Sequence, residues 1–501
     1  MDRDPTATSL ATEALRRGRV ALARSFRFHR PRGAFCHAGW CQQCKVRLAD
    51  GRTVLACRAG PEALAQAETP SPWLRVIGRL AERVPPWFHE HRLLRPRPLR
   101  QAYLNLLRRL SGALPLPAAP ADAAERPWRD AACDVLVVGG GLAGVTAAAS
   151  LARAGADVLL VEAERLGGAA RVVPALAQRL LDGRAALAES GARWLEGATA
   201  LGLYDDATSA LVATADGMML VGFRRLVVAT GAYDRLLAVP GNDLPGIVGV
   251  RAFERLARSG ALSPALRIGV YAAAPELERA LAAADGLRLA FRAGPESDPP
   301  VRLVRVLGRG RVAAVELDPG GAVPCDLLVL GFSQPGYEFQ IQAGCRPVLA
   351  PDGATMLTDG AGTVPLLVVG EAAGERTPER AAAHAAAGAR AWIGAAAGPA
   401  PASASASAFA VRLAPAHDDA MLCPCEDVRV RDVRRAMADG YRDIDLLKRR
   451  TGAGTGPCQG KLCHPELLRC LSEGGAEVRL PTVRPLVRPM ALGAFLGRSD
   501  V

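Results

Sequence analysis

Lysine is nearly missing: Lys45, Lys448 and Lys461 are the only three in 501 residues, although lysine and arginine together number 62. Arginine therefore carries almost all of the net charge of +12, and with so much alanine the bias reads as codon usage, not as a nucleic-acid-binding face. Charge of this sign favours an acidic partner or small acidic substrates and says nothing about fold. No run of 18 apolar residues is free of charge or proline, so no transmembrane segment is expected. The amino terminus lacks the charged, apolar and cleavage regions of a secretory signal, which makes the cytoplasm the expected compartment. Disulfides are rare there. No grouping of His, Ser and Asp suggests a hydrolytic or acid–base centre, so no catalytic residue is assigned.

Half of the residues are apolar, enough for two to four domains around large cores. Of the twelve cysteines, eight fall into two tight groups. Metal or redox work is the expected use.

The first group, in FCHAGWCQQCKVRLADGRTVLAC, places Cys36, Cys41, Cys44 and Cys57 as C-x4-C-x2-C-x12-C. This is close to the plant-type ferredoxin spacing, in which three thiolates lie on a loop around a [2Fe-2S] cluster and the fourth comes from beyond a hairpin. Val46 and Leu48, a turn at Asp50-Gly51, then Val54 and Leu55 supply that hairpin. Zinc is the competing ligand, but its modules usually arrange cysteines as two CxxC-like pairs. His37 interrupts the loop; a Rieske centre needs two histidines in another spacing, so His37 is read as a loop residue.

The second group is Cys423 and Cys425 in LCPCEDV with Cys458 and Cys463 in GTGPCQGKLC, or C-x-C-x32-C-x4-C. Between them VRVRDVRRAMADG reads as a helix ending at Gly440, and YRDIDLLKRRTGAGTG as a second helix and a glycine loop. Cys463 opens a third helix, whose N-terminal dipole favours an anionic centre; Cys470 is read as core. The pattern resembles the [2Fe-2S] domain related to bacterioferritin-associated ferredoxin (BFD-like), with zinc again the alternative.

Between the groups, CDVLVVGGGLAGVTAAASLARAGADVLLVEAE gives a buried strand, a G-x-G-x-x-G turn at Gly139, Gly141 and Gly144, a helix opening at Leu142 and Ala143, and a second strand ending at Glu162. The glycines admit a pyrophosphate to the helix N-terminus, and the carboxylate can hold a ribose hydroxyl. FRRLVVATGAYDR ends a strand at Ala229-Thr230-Gly231, and VPLLVVGEAAG ends another at Gly370-Glu371. That pair of strand ends resembles two-dinucleotide flavoproteins, so FAD is expected in preference to NAD. Glu371 is one methylene longer than the usual Asp. In the second nucleotide fold, LRIGVYAAAPELERALAAADGLRLAFRAG, the turn reads Ala272-Ala273-Ala274-Pro275 without glycine. Side chains there would bar a pyrophosphate, so NAD(P)H is not the expected electron donor.

RSFRFHRPRG (24–33), GLYDD (202–206), ATGAYDR (229–235), PGNDLPGI (240–247), GFSQPGYEFQIQAG (331–344), GPCQGKLC (456–463) and RPLVRPM (484–490) together resemble the alpha subunit of heteromeric sarcosine oxidase. They are also similar to relatives in hydrogen cyanide synthase, opine oxidase and hydroxyproline or proline dehydrogenase. The resemblance implies a flavin beta subunit of the D-amino-acid-oxidase fold as partner, which would bind and oxidise the amine or amino acid. This chain would pass the electrons through two [2Fe-2S] clusters to an unidentified acceptor. In some relatives the dinucleotide pocket holds a different nucleotide and an FMN lies between subunits, so the resemblance leaves another nucleotide as the alternative to the FAD expected from the strand ends. Three departures stand out: relatives have a β-hairpin ahead of the helix read in TSLATEALRRGRVALARSFRFHRPRG, so either the start is misassigned or the ferredoxin fold is trimmed; residues 168–195 are short; and the second glycine turn is missing.

The fold expected is α/β: a two-dinucleotide FAD/NAD(P) Rossmann flavoprotein core with an N-terminal β-grasp ferredoxin-like domain and a C-terminal helical BFD-like domain. The divisions are 1–70 for the first cluster domain, 71–127 as linker, 128–400 for the flavoprotein core, 401–416 as flexible linker, and 417–501 for the second cluster domain and tail. The basic runs RSFRFHRPRG and RLLRPRPLR are either solvated loops or a lining of the subunit interface. Besides a role in an amine or amino-acid dehydrogenase, two alternatives stand: a self-contained NAD(P)H-dependent ferredoxin reductase, and a non-catalytic iron–sulfur redox sensor or scaffold.

Overall fold

The computed structural model describes residues 8–67, 127–352, 355–360, 362–394, 413–475 and 479–490, with isolated positions between 73 and 105 and at 495. The linker expected at 71–127, most of the run RLLRPRPLR, and the segment GPAPASASASAF lie outside the described residues.

Strands Trp128–Val138 and Val158–Val161 end in wholly apolar runs because both faces of a parallel sheet are covered. They lie in a seven-stranded sheet ordered Arg193–Leu195, Val158–Val161, Trp128–Val138, Met218–Val228, Ser209–Ala213, Thr199–Tyr204. Strand Met218–Val228 is shared: its first half pairs antiparallel with Ser209–Ala213, its last three residues pair parallel with Leu366–Val368. Three parallel strands therefore end side by side at Val138, Val228 and Val368. Helix Leu142–Arg153 covers this end together with helix Pro378–Gly394, and alanines at 148, 149, 381, 385 and 389 let the two pack into one core.

From that sheet the chain crosses to the second nucleotide fold through Ala232–Asp234 and returns through Ser333–Pro335, which pair antiparallel. The second fold is a parallel sheet ordered Ile247–Gly249, Leu327–Gly331, Ile268–Ala272, Leu289–Ala293, with helices Val250–Arg258 and Ala274–Ala283 against it.

The amino-terminal module begins with helix Leu10–Arg16, opened by a capping box between Ser9 and Thr12. Its strands form two separate ribbons, Ala23–Arg24 with Pro31–Arg32 and Lys45–Arg47 with Thr53–Leu55. The second is the hairpin expected from the sequence, with Gly51 in the left-handed turn conformation. The carboxy-terminal module pairs Met421–Cys423 with Val428–Arg429, then runs through helices Val430–Ala438, Ile444–Thr451 and His464–Glu473. Residues on either side of Val487 then stitch the modules: Val487 N donates to Leu201 O at 2.7 Å, and Gln459 Nε2 donates to Leu486 O at 2.7 Å.

Candidate functional site: a glycine turn and two thiol sets

All twelve cysteines are free and buried, so the thiols are available as ligands and not spent on disulfides. In the first set Cys36 is the hub. Burial disfavours its thiolate, but hydrogen bonds from the Cys41 and Cys57 thiols and from the backbone of Cys41 and Ala38 hold it well below its ordinary value. The two backbone N–H groups lie 3.4 Å from Cys36 Sγ. Cys57 in turn interacts with Cys44, which is the return of the fourth thiol that the hairpin was expected to make. In the second set Cys425 donates to Cys458, whose pKa falls to about 7 against the pull of burial, and Cys463 interacts with Cys423. Cys463 is the N-cap of helix His464–Glu473, and Cys470 is core.

In the first set the contacts run as one chain, from Cys41 through Cys36 and Cys57 to Cys44. Soft thiol donors with N–H groups aimed at sulfur suit an anionic iron–sulfur centre.

The two sets meet. Gln43, between Cys41 and Cys44, donates from Nε2 to Cys41 O and to Cys425 Sγ, both at 3.2 Å. Cys36 and Cys41 share one apolar core with Cys423, Cys425, Cys458 and Cys463.

At the dinucleotide turn each glycine has its own physical task. A Cβ on Gly139, which has φ +106°, would lie 2.3 Å from Ala229 O; one on Gly144 would lie 1.9 Å from Gly139 O. Those two permit the sharp turn and the close seating of the helix. A Cβ on Gly141 would meet nothing within 4 Å, and no side chain caps the helix there. This leaves the first turn, from Leu142 and Ala143, open to a pyrophosphate. Glu162 is folded onto the turn: Oε2 accepts from Gly140 N at 2.6 Å and Oε1 from Glu164 N at 2.7 Å. Burial raises its pKa and those two N–H groups oppose the rise. Gly370 seats against Ala143, and Glu371 Oε2 lies 3.6 Å from where a Cβ of Gly231 would be. Gly139, Gly141, Leu142, Ala143, Gly144, Glu162, Ala229, Thr230, Gly231, Gly370 and Glu371 are thus gathered at one end of one sheet. The cradle has the shape and the N-terminal dipole that a dinucleotide requires.

Sequence reasoning missed what surrounds Glu371. Its Oε1 accepts from Arg251 at 2.7 Å and from Arg279 at 2.9 Å; Arg251 also pairs with Asp234, and Arg279 with Glu254. Burial opposes the Glu371 charge, but the two guanidinium groups outweigh it and hold the pKa below its ordinary value. Only the other oxygen faces Gly231. A second missed cluster joins the cysteine loops to the sheet end. Tyr233 donates to both oxygens of Glu338 at 3.0 and 3.1 Å, and Lys461, between Cys458 and Cys463, reaches Glu338 at 3.1 Å and Val487 O at 2.8 Å.

In the second nucleotide fold the helix N-terminus is already served by an acid: Glu296 accepts from Ala274 N. The run RSFRFHRPRG is not merely a solvated loop. Arg32, almost wholly buried, pairs with Asp243 of the flavoprotein core and Asp427 of the carboxy-terminal module, and Arg27 N and Phe28 N donate to Asp427.

Residues 5–72 match the family described as 2Fe-2S iron-sulfur cluster binding domain, residues 133–261 the Pyridine nucleotide-disulphide oxidoreductase family, and residues 421–473 the BFD-like [2Fe-2S] binding domain. The alpha subunit of sarcosine oxidase from Rhizobium meliloti (strain 1021) is 28% identical over 98% of this chain. The chain is a homologue of that protein. It spans 56% of the relative's length. An opine oxidase subunit of the same strain is 32% identical over 16% of this chain and 18% of its own length. The fold is that of L-proline dehydrogenase from P. horikoshii, with a TM-score of 0.67 at 17% identity over 97% of this chain and 94% of that one. The matches give the chain two [2Fe-2S]-binding domains and a flavin-type oxidoreductase domain, consistent with FAD and two [2Fe-2S] clusters. No described helix is long and apolar enough to cross a membrane.

Proposed function

We propose that the chain is the electron-transfer subunit of a heteromeric flavin-dependent dehydrogenase or oxidase acting on CH–NH or CH–NH2 donors, of the sarcosine, proline or hydroxyproline, opine or glycine class. A beta subunit of D-amino-acid-oxidase fold binds most of the substrate. The observation that carries the reading is the Gln43–Cys425 contact, which joins two buried thiol sets that share one apolar core.

In this reading Gly139, Gly141, Leu142, Ala143, Gly144, Glu162, Ala229, Thr230, Gly231, Gly370 and Glu371 hold FAD. Cys36, Cys41, Cys44 and Cys57 hold one [2Fe-2S] cluster, and Cys423, Cys425, Cys458 and Cys463 the other. When bound, the flavin exchanges electrons in pairs or singly and the clusters exchange them singly. The chain's own contribution is positioning and exclusion of water. Gly141 leaves room at the helix N-terminus, Arg251 and Arg279 hold the Glu371 carboxylate in its ionised form, and the apolar core around Cys36 and Cys425 keeps solvent from the sulfurs. The acid at Ala274 N and the missing glycine weigh against the reductase alternative, because a pyrophosphate there would face a carboxylate.

Anaerobic addition of NADH or NADPH to the isolated chain is expected to leave its visible spectrum unchanged, whereas a co-expressed flavin partner with its amine substrate bleaches the cluster bands. Rapid bleaching by NADH alone overturns the assignment in favour of the reductase.

A further inference from the structure

We propose that Gln43, on the loop of the first cysteine set, tunes the reduction potential of the centre held by the second set. The inference rests on the reading of Cys423, Cys425, Cys458 and Cys463 as a cluster site. The Gln43 amide is tethered by its own loop, through Cys41 O, and aimed at Cys425 Sγ, a sulfur 382 residues away in the chain.

An N–H donated to a ligand sulfur favours the more negative, reduced form of an iron–sulfur centre and so raises its potential. Because that donor comes from the other module, the second centre reaches its working potential only when the two modules are docked.

The test is an EPR-monitored redox titration of the full chain. Cys57→Ser and Cys463→Ser, each removing one ligand, assign the two signals. Gln43→Leu is expected to lower the midpoint of the second-set signal by an amount equal to about a tenfold change in its reduced-to-oxidised ratio, about 59 mV for a one-electron couple, and to leave the first-set signal in place. Gln43→Glu, which keeps the size but loses the donor, lowers it further. An unshifted second-set potential in Gln43→Leu at wild-type iron and sulfide content, or a shift confined to the first-set signal, overturns the inference alone. Wild-type protein without iron at the second set would instead overturn the reading of that site.

Discussion

Trp40 lies with its ring centroid 4.9 Å from that of Tyr233, tilted by 49°, and so joins the loop between Cys36 and Cys41 to the strand that follows Ala229-Thr230-Gly231. Phe35 meets the same indole edge-on, with centroids 6.1 Å apart. The hydroxyl of Tyr233 continues the junction into Glu338 and, through it, to Lys461 between Cys458 and Cys463. Three modules thus meet on one tyrosine.

Loss of one partner in this junction is costly in proportion to the charge it strands. Tyr233→Phe removes a hydroxyl donor but leaves Glu338 paired with Lys461, and should cost about 1 kcal/mol. Lys461→Met strands a buried carboxylate and should cost about 3–5 kcal/mol. Trp40→Ala should lie between, with about 3 kcal/mol from lost aromatic packing. Denaturant unfolding of the cluster-loaded chain ranks the three; an equal effect of Tyr233→Phe and Lys461→Met would show that the Lys461–Glu338 pair is not what the junction rests on.

Two complete four-thiol sets should yield about four irons and about four acid-labile sulfides per chain after anaerobic purification. Metal analysis finding zinc, with no visible charge-transfer bands, contradicts this. Cys425→Ser should abolish the second cluster and also perturb the line shape of the first, because Gln43 loses its partner across the module boundary.

Glu164 ties the first cluster module to the sheet, receiving Arg58 at 2.7 Å and Arg255 at 3.3 Å. Burial opposes its charge, but Arg255 and Arg58 outweigh burial and hold its pKa at about 2, against an ordinary 4.5. Between those values the unfolded chain binds the proton and the folded chain does not. The stabilisation is therefore complete above pH 4.5 and is lost as pH falls toward 2. Glu164→Gln should cost about 1–3 kcal/mol at about pH 7, and the difference from wild type should shrink steadily below pH 4.5 in acid-unfolding curves. A difference that stays constant with pH would mean that the carboxylate charge is not what holds the modules.

The glycine turn and the cysteine spacings were legible because each reflects a local covalent demand: a turn that only glycine can make, and thiols that a hairpin must bring back within a few residues. What was not legible depends on contacts between distant segments. Arg32 finds Asp243 across 211 residues and Asp427 across 395, so RSFRFHRPRG read as a solvated loop or an interface lining and not as a clamp between modules. The Arg251 and Arg279 clamp on Glu371 is hidden for the same reason. One signal was available and went unused. In a chain that has replaced nearly every lysine by arginine, two of the three that remain, Lys45 and Lys461, sit within the cysteine motifs, where the first opens the strand after Cys44 and the second pairs with the buried Glu338.

Two glycines of the dinucleotide turn that carry no backbone strain, Gly141 and Gly144, make opposite predictions. Gly141 has φ −69°, which any residue adopts, and a Cβ there enters open space. Gly141→Val should therefore fold with little loss of stability, while its branched side chain fills the place of the pyrophosphate and flavin binding is lost. Gly144 faces inward: an added Cβ would lie 1.9 Å from Gly139 O, so Gly144→Ala must push the helix away from the turn and should cost about 1–3 kcal/mol whether or not flavin is present. Flavin content of the purified variants and unfolding of their flavin-free forms separate the two effects. Full flavin occupancy in Gly141→Val would move the cofactor to another part of the fold, and equal flavin-free stability of Gly144→Ala and wild type would show that the helix is not seated on Gly139 as described.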